Sequence, residues 1–384
     1  MIWIAIRLAL LALAVVPFAY YFLTSIAALR FFVTRPVPPP NYLPPVSILR
    51  PIHGLDREAY DNFASFCRQE YPEFEMLFCV SDETDPAIPV IKRLIDDFPQ
   101  RSIRLLVGSQ PLGVSDKVNK LCRMAKEARH DLLIVCDSDV RVDPGFLRAA
   151  AAPFEDSAVG GVTCLYRGLT DGSLPADLEA LGNSADFVPG VLAARRLGGV
   201  NFMLGAVMAT TKGQLAAIGG FESMVNHFAD DYELGNRIAH SGHRVALSPF
   251  PVSVVYPRET LADSFRHQTR QNASIKHSRP WGHFGLIVTQ GLAWTILAAA
   301  IAPYRWLALA YIAAYLLLRG ATAWIIGVNG MRDDLVRRKF WLLPIHDAFA
   351  FAAWLASFFP QRIHWRGQQF YVRNRLLVPV SPRR

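Results

Sequence analysis

Two pairs of carboxylates carry the chemistry in this sequence. Asp137 and Asp139 close the apolar run "LLIVC" with only Ser138 between them. On an extended strand end, residues two apart point to the same side, so two negative charges face one small volume. Hard carboxylate oxygens so placed suit Mg²⁺ or Mn²⁺. The alternative is an ordinary polar strand end. The second pair is Asp230 and Asp231 in "HFADDYELGNRI". Adjacent carboxylates repel, which raises a pKa and makes a better proton acceptor. They also suit a helix N-terminus, where the dipole favours Asp, and both roles can hold at once.

The elements that must position these acids alternate. "VSILRPI" from Val46 reads as a strand, 56–70 as a helix, "FEMLFCV" (74–80) as a strand and 87–98 as a helix. "IRLLV" reads as a strand, 115–129 as a helix, and "DLLIVCD" as a strand. This alternation predicts an α/β domain with a mostly parallel sheet, whose ligands sit at the carboxyl ends of the strands. Asp82 follows one such end and Asp137 another. Neither G-x-G-x-x-G nor a P-loop is present, so neither a dinucleotide fold nor a P-loop nucleotidase is supported.

Apolar residues concentrate at the two ends of the 384-residue chain. Leu8–Leu29 and Phe284–Ala302 carry no charge, and Trp306–Val328 is interrupted only by Arg319. Each is long enough to cross a hydrocarbon core of roughly 30 Å, which takes about 20 residues. Phe340–Phe359 contains His346 and Asp347, so it is expected to be interfacial or re-entrant. A charge inside an apolar run needs a partner, and Asp347 is the one expected for Arg319.

Residues 1–30 read as an anchor rather than a cleaved signal, because the apolar run is long and Arg30 and Arg35 follow it. By the positive-inside rule the domain after it is cytoplasmic, at a multi-pass cell membrane. Residues 31–45 form a Pro-rich spacer and 46–257 the soluble domain. A basic interfacial segment (258–283), the membrane region (284–360) and a basic tail (361–384) follow. Three spans place every basic cluster inside. The formal charge of +8 follows from those clusters, so no nucleic-acid partner is inferred. Five cysteines with no C-x-x-C pair read as reduced core thiols.

Seven segments in order, "VSILRPIHGLD", "CVSDETDPA", "GVSDKVNKL", "DSDVRVDPGFL", "GAVMATTKGQLAAIGGFE", "DDYELGNRI" and "RHQTRQNASIKHSRPWG", resemble GT-A fold glycosyltransferases. Within that group the chain is similar to the ceramide glucosyltransferases and the related bacterial hopanoid-biosynthesis enzymes. The resemblance implies inverting transfer of a hexose from UDP-glucose or UDP-N-acetylglucosamine to the hydroxyl of a membrane lipid. It makes Asp137 and Asp139 the D-x-D that bridges Mn²⁺ or Mg²⁺ to the donor diphosphate, and Asp231 the base with Asp230 beside it. Asp82 is implied beside the uridine, though Asp and Pro also favour a plain turn there. Lys117 could reach a phosphate or be a solvated helix charge. Gly205 could let the sugar approach backbone or simply pack in a core.

The family's (Q/R)-x-x-R-W becomes His267-Gln268-Thr269-Arg270-Gln271. Arg270 is retained as a candidate for the diphosphate, while the tryptophan of the acceptor side is replaced by Gln271. That loss, with so few spans, argues against a processive polysaccharide synthase. The presence of every acid the chemistry needs argues against a catalytically silent membrane scaffold.

Overall fold

A computed structural model of the chain describes residues 1–34 and 42–359, and the backbone of 363–365, 368–373 and 376–379. The expected spacer and basic tail fall largely outside the described residues. The chain divides into two compact units.

The first is built on an eight-stranded sheet and comprises Pro36–Leu169, Val200–Pro257 and Ile363–Arg384. Its strands are β1 (Val46–Pro51), β2 (Phe74–Val80), β3 (Ser102–Val107), β4 (Leu132–Cys136), β5 (Val140–Arg141), β6 (Val159–Leu169), β7 (Val207–Thr211) and β8 (Arg244–Val255). They run in the order β3-β2-β1-β4-β7-β6-β8-β5. The β3-β2-β1-β4 half is parallel throughout, β7 runs antiparallel to both neighbours, and β6 pairs parallel with β8. The expected parallel sheet therefore forms, with an antiparallel insertion beyond β4.

The central strands bury both faces, which is why they read as unbroken apolar runs. Ile48, Met76, Phe78 and Ile134 pack on one side with Phe63, Ile91 and Leu94. Leu49, Leu77, Leu133 and Val135 pack on the other with Val118 and Leu121. All five cysteines are free and buried. Strand order reverses between β1 and β4, and the crevice at such a switch point is where open α/β sheets bind ligands.

The second unit comprises Met1–Arg35, Thr170–Gly199 and Arg258–Arg362. The soluble domain expected over 46–257 is interrupted, because 170–199 groups with the terminal segments. The short helices of that stretch mix apolar and polar residues as those of the sheet unit do, so composition gives no boundary. Two runs, Ile2–Val33 and Arg305–Gly330, are long and apolar enough to cross a membrane. The pair Pro280–Thr289 and Gly291–Ile301, bent by 51°, makes a third if it is one span. Leu8, Phe22, Leu23, Leu309 and Leu317 are each more than half exposed on these helices, surface that hydrocarbon would cover. The 14-residue helix Leu343–Ala356 is about 21 Å long, short of a full crossing.

Arg319, buried in the Arg305–Ala323 helix, pairs with Asp347 as expected (Nη2 to Oδ1 2.6 Å, Nε to Oδ2 3.0 Å). It also donates to Asp186 Oδ1 at 2.6 Å, and Asp186 Oδ2 meets His346 Nε2 at 2.7 Å. Asp186 lies on a π-helical turn, Asn183–Phe187, inside the 170–199 stretch. Nothing in the local sequence brings it to Arg319.

Candidate active site

Asp137 leaves β4 at the switch point, and its turn is organised from beneath by Arg50 of β1. The Arg50 side chain is fully buried, stacked on Phe66 with its guanidinium carbon 4.3 Å from the ring centroid. Its Nη2 donates to the carbonyls of Asp137 (2.9 Å), Ser138 (3.1 Å) and Val140 (3.3 Å). An arginine in an otherwise apolar central strand is thus a brace for the D-x-D turn. The strand's own pattern hid it, the one available signal being a charge where none belongs.

Lys117 follows the N-cap Ser115, whose side chain accepts from Val118 N at the start of the Asp116–Glu127 helix. Ser115 N donates to Val225 O at 2.8 Å, and Val114 N to Asn226 Oδ1 at 3.1 Å. These contacts tie the loop before the helix to the segment leading into Asp230. Lys117 Nζ lies 2.8 Å from Asp137 Oδ1 and 3.4 Å from Asp230 Oδ2. Lys117, for which the sequence left a phosphate contact or a solvated helix charge open, sits between two of the candidate acids. Burial opposes its charge, and Asp137 and Asp230 more than offset that, holding it protonated.

Asp230 and Asp231 open the Asp230–His240 helix, and Asp231 O accepts from Met203 N at 3.3 Å. Gly205 lies between the two pairs of acids. A β-carbon there would stand 3.3 Å from Asp231 Oδ2 and 3.7 Å from Asp137 Oδ2. Burial pushes the Asp231 carboxyl up to about 6, with Asp230 and Asp137 adding to the rise and Lys117 opposing it. Asp139 is pushed up to about 7 by burial, then by Asp137 and Asp56, against the pull of Arg50.

Asp137, Asp139, Asp230, Asp231, Lys117 and Gly205 thus come together from four separate stretches of chain. Lys117 pairs with Asp137 and Asp230, while Asp139 is crowded by Asp137 and Asp56, and Asp231 by Asp230 and Asp137. The excess negative charge fits a divalent cation, and Asp137 and Asp139 supply hard oxygen donors for it.

Asp82 follows the carboxyl end of β2, two strands from β4. Its Oδ1 accepts from Thr84 N at 2.8 Å and from the Thr84 hydroxyl, and those bonds lower its pKa. The local turn is formed, and Asp82 is exposed. Arg270 lies on the Leu261–Ser278 helix of the other unit. Lys120, one turn beyond Lys117, is buried, reaches Ile52 O and pairs with Asp116 at 2.7 Å. It joins the exit of β1 to the same helix, and the sequence alone does not single it out.

The family model for Glycosyl transferase family 21 matches residues 9–377, nearly the whole chain. The chain belongs to glycosyl transferase family 21. This family member is 30% identical over 216 residues to ceramide glucosyltransferase 1 of Caenorhabditis elegans, covering 56% of the chain and 46% of that protein. It is 31% identical over 156 residues to the ceramide glucosyltransferase of Gibberella zeae, covering 37% and 30%. The chain therefore spans about half or less of the length of these curated relatives. Among solved structures it resembles the mannosyltransferase PcManGT from Pyrobaculum calidifontis, determined with GDP-Man and Mn²⁺. The TM-score is 0.54 at 17% identity, covering 92% of this chain and 99% of that one, a likeness of fold. The α/β sheet expected from the strand pattern and the GT-A fold implied by the motif resemblance are thus the fold observed.

Proposed function

We propose that this family 21 protein is an inverting, metal-dependent glycosyltransferase that moves one hexose from a UDP-sugar to the hydroxyl of a membrane lipid. The observation that carries the reading is the meeting of Asp137 and Asp231 across Gly205. It sets a candidate metal ligand and a candidate base on either side of a backbone with no side chain.

Asp137 and Asp139 would hold Mn²⁺ or Mg²⁺, which when bound supplies charge neutralisation for the donor diphosphate. Lys117 orients Asp137 and keeps a fixed positive charge beside it. Gly205 leaves room for the hexose, and Asp231 takes the proton of the acceptor hydroxyl as that oxygen attacks the anomeric carbon from the face opposite the diphosphate. A carboxyl held near 6 is ionised at neutral pH yet basic enough to accept that proton. Asp230, ion-paired to Lys117, keeps the Asp231 pKa raised. Asp82 is assigned to the uridine and Arg270 to the diphosphate on the strength of the sequence motifs.

The apolar helices support a bilayer-embedded enzyme that draws its acceptor from the membrane, and Arg30 and Arg35 after the first apolar run support a cytoplasmic sheet unit by the positive-inside rule. Ceramide and a hopanoid polyol are the two acceptor classes considered. UDP-glucose and UDP-N-acetylglucosamine should each be offered to the purified full chain with ceramide or bacteriohopanetetrol, and the products read by mass spectrometry and NMR. A β-linked hexosyl or N-acetylhexosaminyl lipid supports the reading and selects the pair. An α-linked product would contradict inversion, and sugar polymer in place of glycolipid would contradict single transfer.

A further inference from the structure

A second group of ligand-type side chains lies in the unit that carries the apolar helices. Glu179 comes from the Leu174–Gly182 helix, and Glu259 and His267 flank the start of the Leu261–Ser278 helix. One ligand atom from each, two carboxylate oxygens and an imidazole nitrogen, lies within 4.8 Å of the others.

The Glu179 side chain is 4% exposed. Its Oε2 accepts from the Ser264 hydroxyl at 2.9 Å, which fixes the carboxylate. Its Oε1 is buried, stands 2.5 Å from His267 Nδ1 and makes no hydrogen bond. The imidazole nitrogen and the carboxylate oxygen are therefore in contact but not aligned for N–H donation. A buried oxygen in that position calls for a cation. The outer partners suit one. His267 Nε2 faces the side-chain amide of Gln271 at 3.3 Å, and a rotation of that amide presents its oxygen to Nε2–H. That bond would leave the Nδ1 lone pair directed at the two carboxylates, as a metal-bound histidine requires.

We propose that Glu179, Glu259 and His267 form a divalent transition-metal site, with Zn²⁺ the favoured occupant. One imidazole and two carboxylates select a first-row metal over Mg²⁺, and Zn²⁺ binds such sets more tightly than Mn²⁺. Three protein ligands leave one tetrahedral position for water or an acceptor oxygen. The metal would clasp two helices distant in sequence and give the second unit a fixed cation of its own. Gln271, which stands where relatives carry tryptophan, gains a role as the histidine's outer partner.

The test uses the full-length protein in detergent with Asp137→Asn and Asp139→Asn, which removes the carboxylate pair of the sheet unit. After loading with Zn²⁺ and dialysis, metal content is measured by mass spectrometry, and Co²⁺ substitution is followed by its visible ligand-field bands. One equivalent of Zn²⁺ and a tetrahedral Co²⁺ spectrum are expected. Adding His267→Ala or Glu259→Gln should lower the affinity on the order of 100-fold and abolish the spectrum. Glu259 is only half-buried, so Glu259→Gln keeps the test available if the histidine variant fails to fold. No bound Zn²⁺ in the double variant would overturn the proposal. Equal Zn²⁺ content with and without Glu259→Gln would overturn it too, placing the metal elsewhere.

Discussion

Replacing Asp231 by Asn separates two effects that the geometry couples. A carboxyl held at about 6 rather than its ordinary value of 3.8 costs about 3 kcal/mol when ionised in the metal-free protein. The sign follows from linkage. Because the folded value is the higher one, folding favours the protonated form. The penalty is absent below about pH 4, grows between about 4 and 6, and is fully present above about 6. Asp231→Asn removes it, so the metal-free variant should melt higher than the parent at neutral pH and show no such gain at about pH 4. The same change deletes the proposed base, which should lower kcat/KM by about 10² to 10⁴-fold, or about 3 to 5 kcal/mol of barrier. The parent should lose kcat/KM tenfold per pH unit below an acid limb set by the Asp231 carboxyl. The assay is UDP release and glycolipid formation, alongside thermal melting of the metal-free proteins at both pH values. An Asp231→Asn variant that transfers within a few-fold of the parent, or a loss confined to Asp230→Asn, would refute the assignment of the base. A variant that is catalytically dead but no more stable would refute the electrostatic account.

Gly205→Ala should fold normally, since the new methyl meets only carboxylate atoms, and raise the donor KM about tenfold or more by crowding the sugar's path; melting and kinetics together check this. Lys117→Met removes the charge that lowers the Asp231 carboxyl, so the acid limb of the pH profile should move to higher pH. Arg50→Met unbraces three carbonyls of the D-x-D turn and should cost about 3 kcal/mol or more, seen as lost expression or a lower melting temperature. Reversing Arg319 or Asp347 singly should lower expression, and reversing both should restore it only partly, because Asp186 remains beside the exchanged charge; full restoration would remove Asp186 from the network.

The parallel half of the fold was legible because its strands are buried on both faces and separated by helices of ordinary length. The D-x-D was legible because two charges ended an apolar strand. Asp230 and Asp231 lie far from Asp137 in sequence, so their convergence came through motif resemblance. For Asp82 the sequence left a turn residue and a uridine contact both open, and the turn is formed. Arg50 and Asp186 were hidden for one reason: each acts through partners 87 and 133 residues away, and no local pattern encodes such contacts. The departure of 170–199 from the sheet unit was hidden because amphipathic helices look alike whichever core they cover.

The central claim is tested most directly by one measurement. Purified full-length protein is given UDP-glucose and ceramide with Mn²⁺, then with EDTA, then with Mn²⁺ restored, while UDP and glycolipid are quantified together. Equimolar UDP and hexosyl lipid that vanish with EDTA and return with Mn²⁺ are the predicted result. Transfer that proceeds undiminished in EDTA, or UDP released in Mn²⁺ with no lipid product from any acceptor offered, would contradict it.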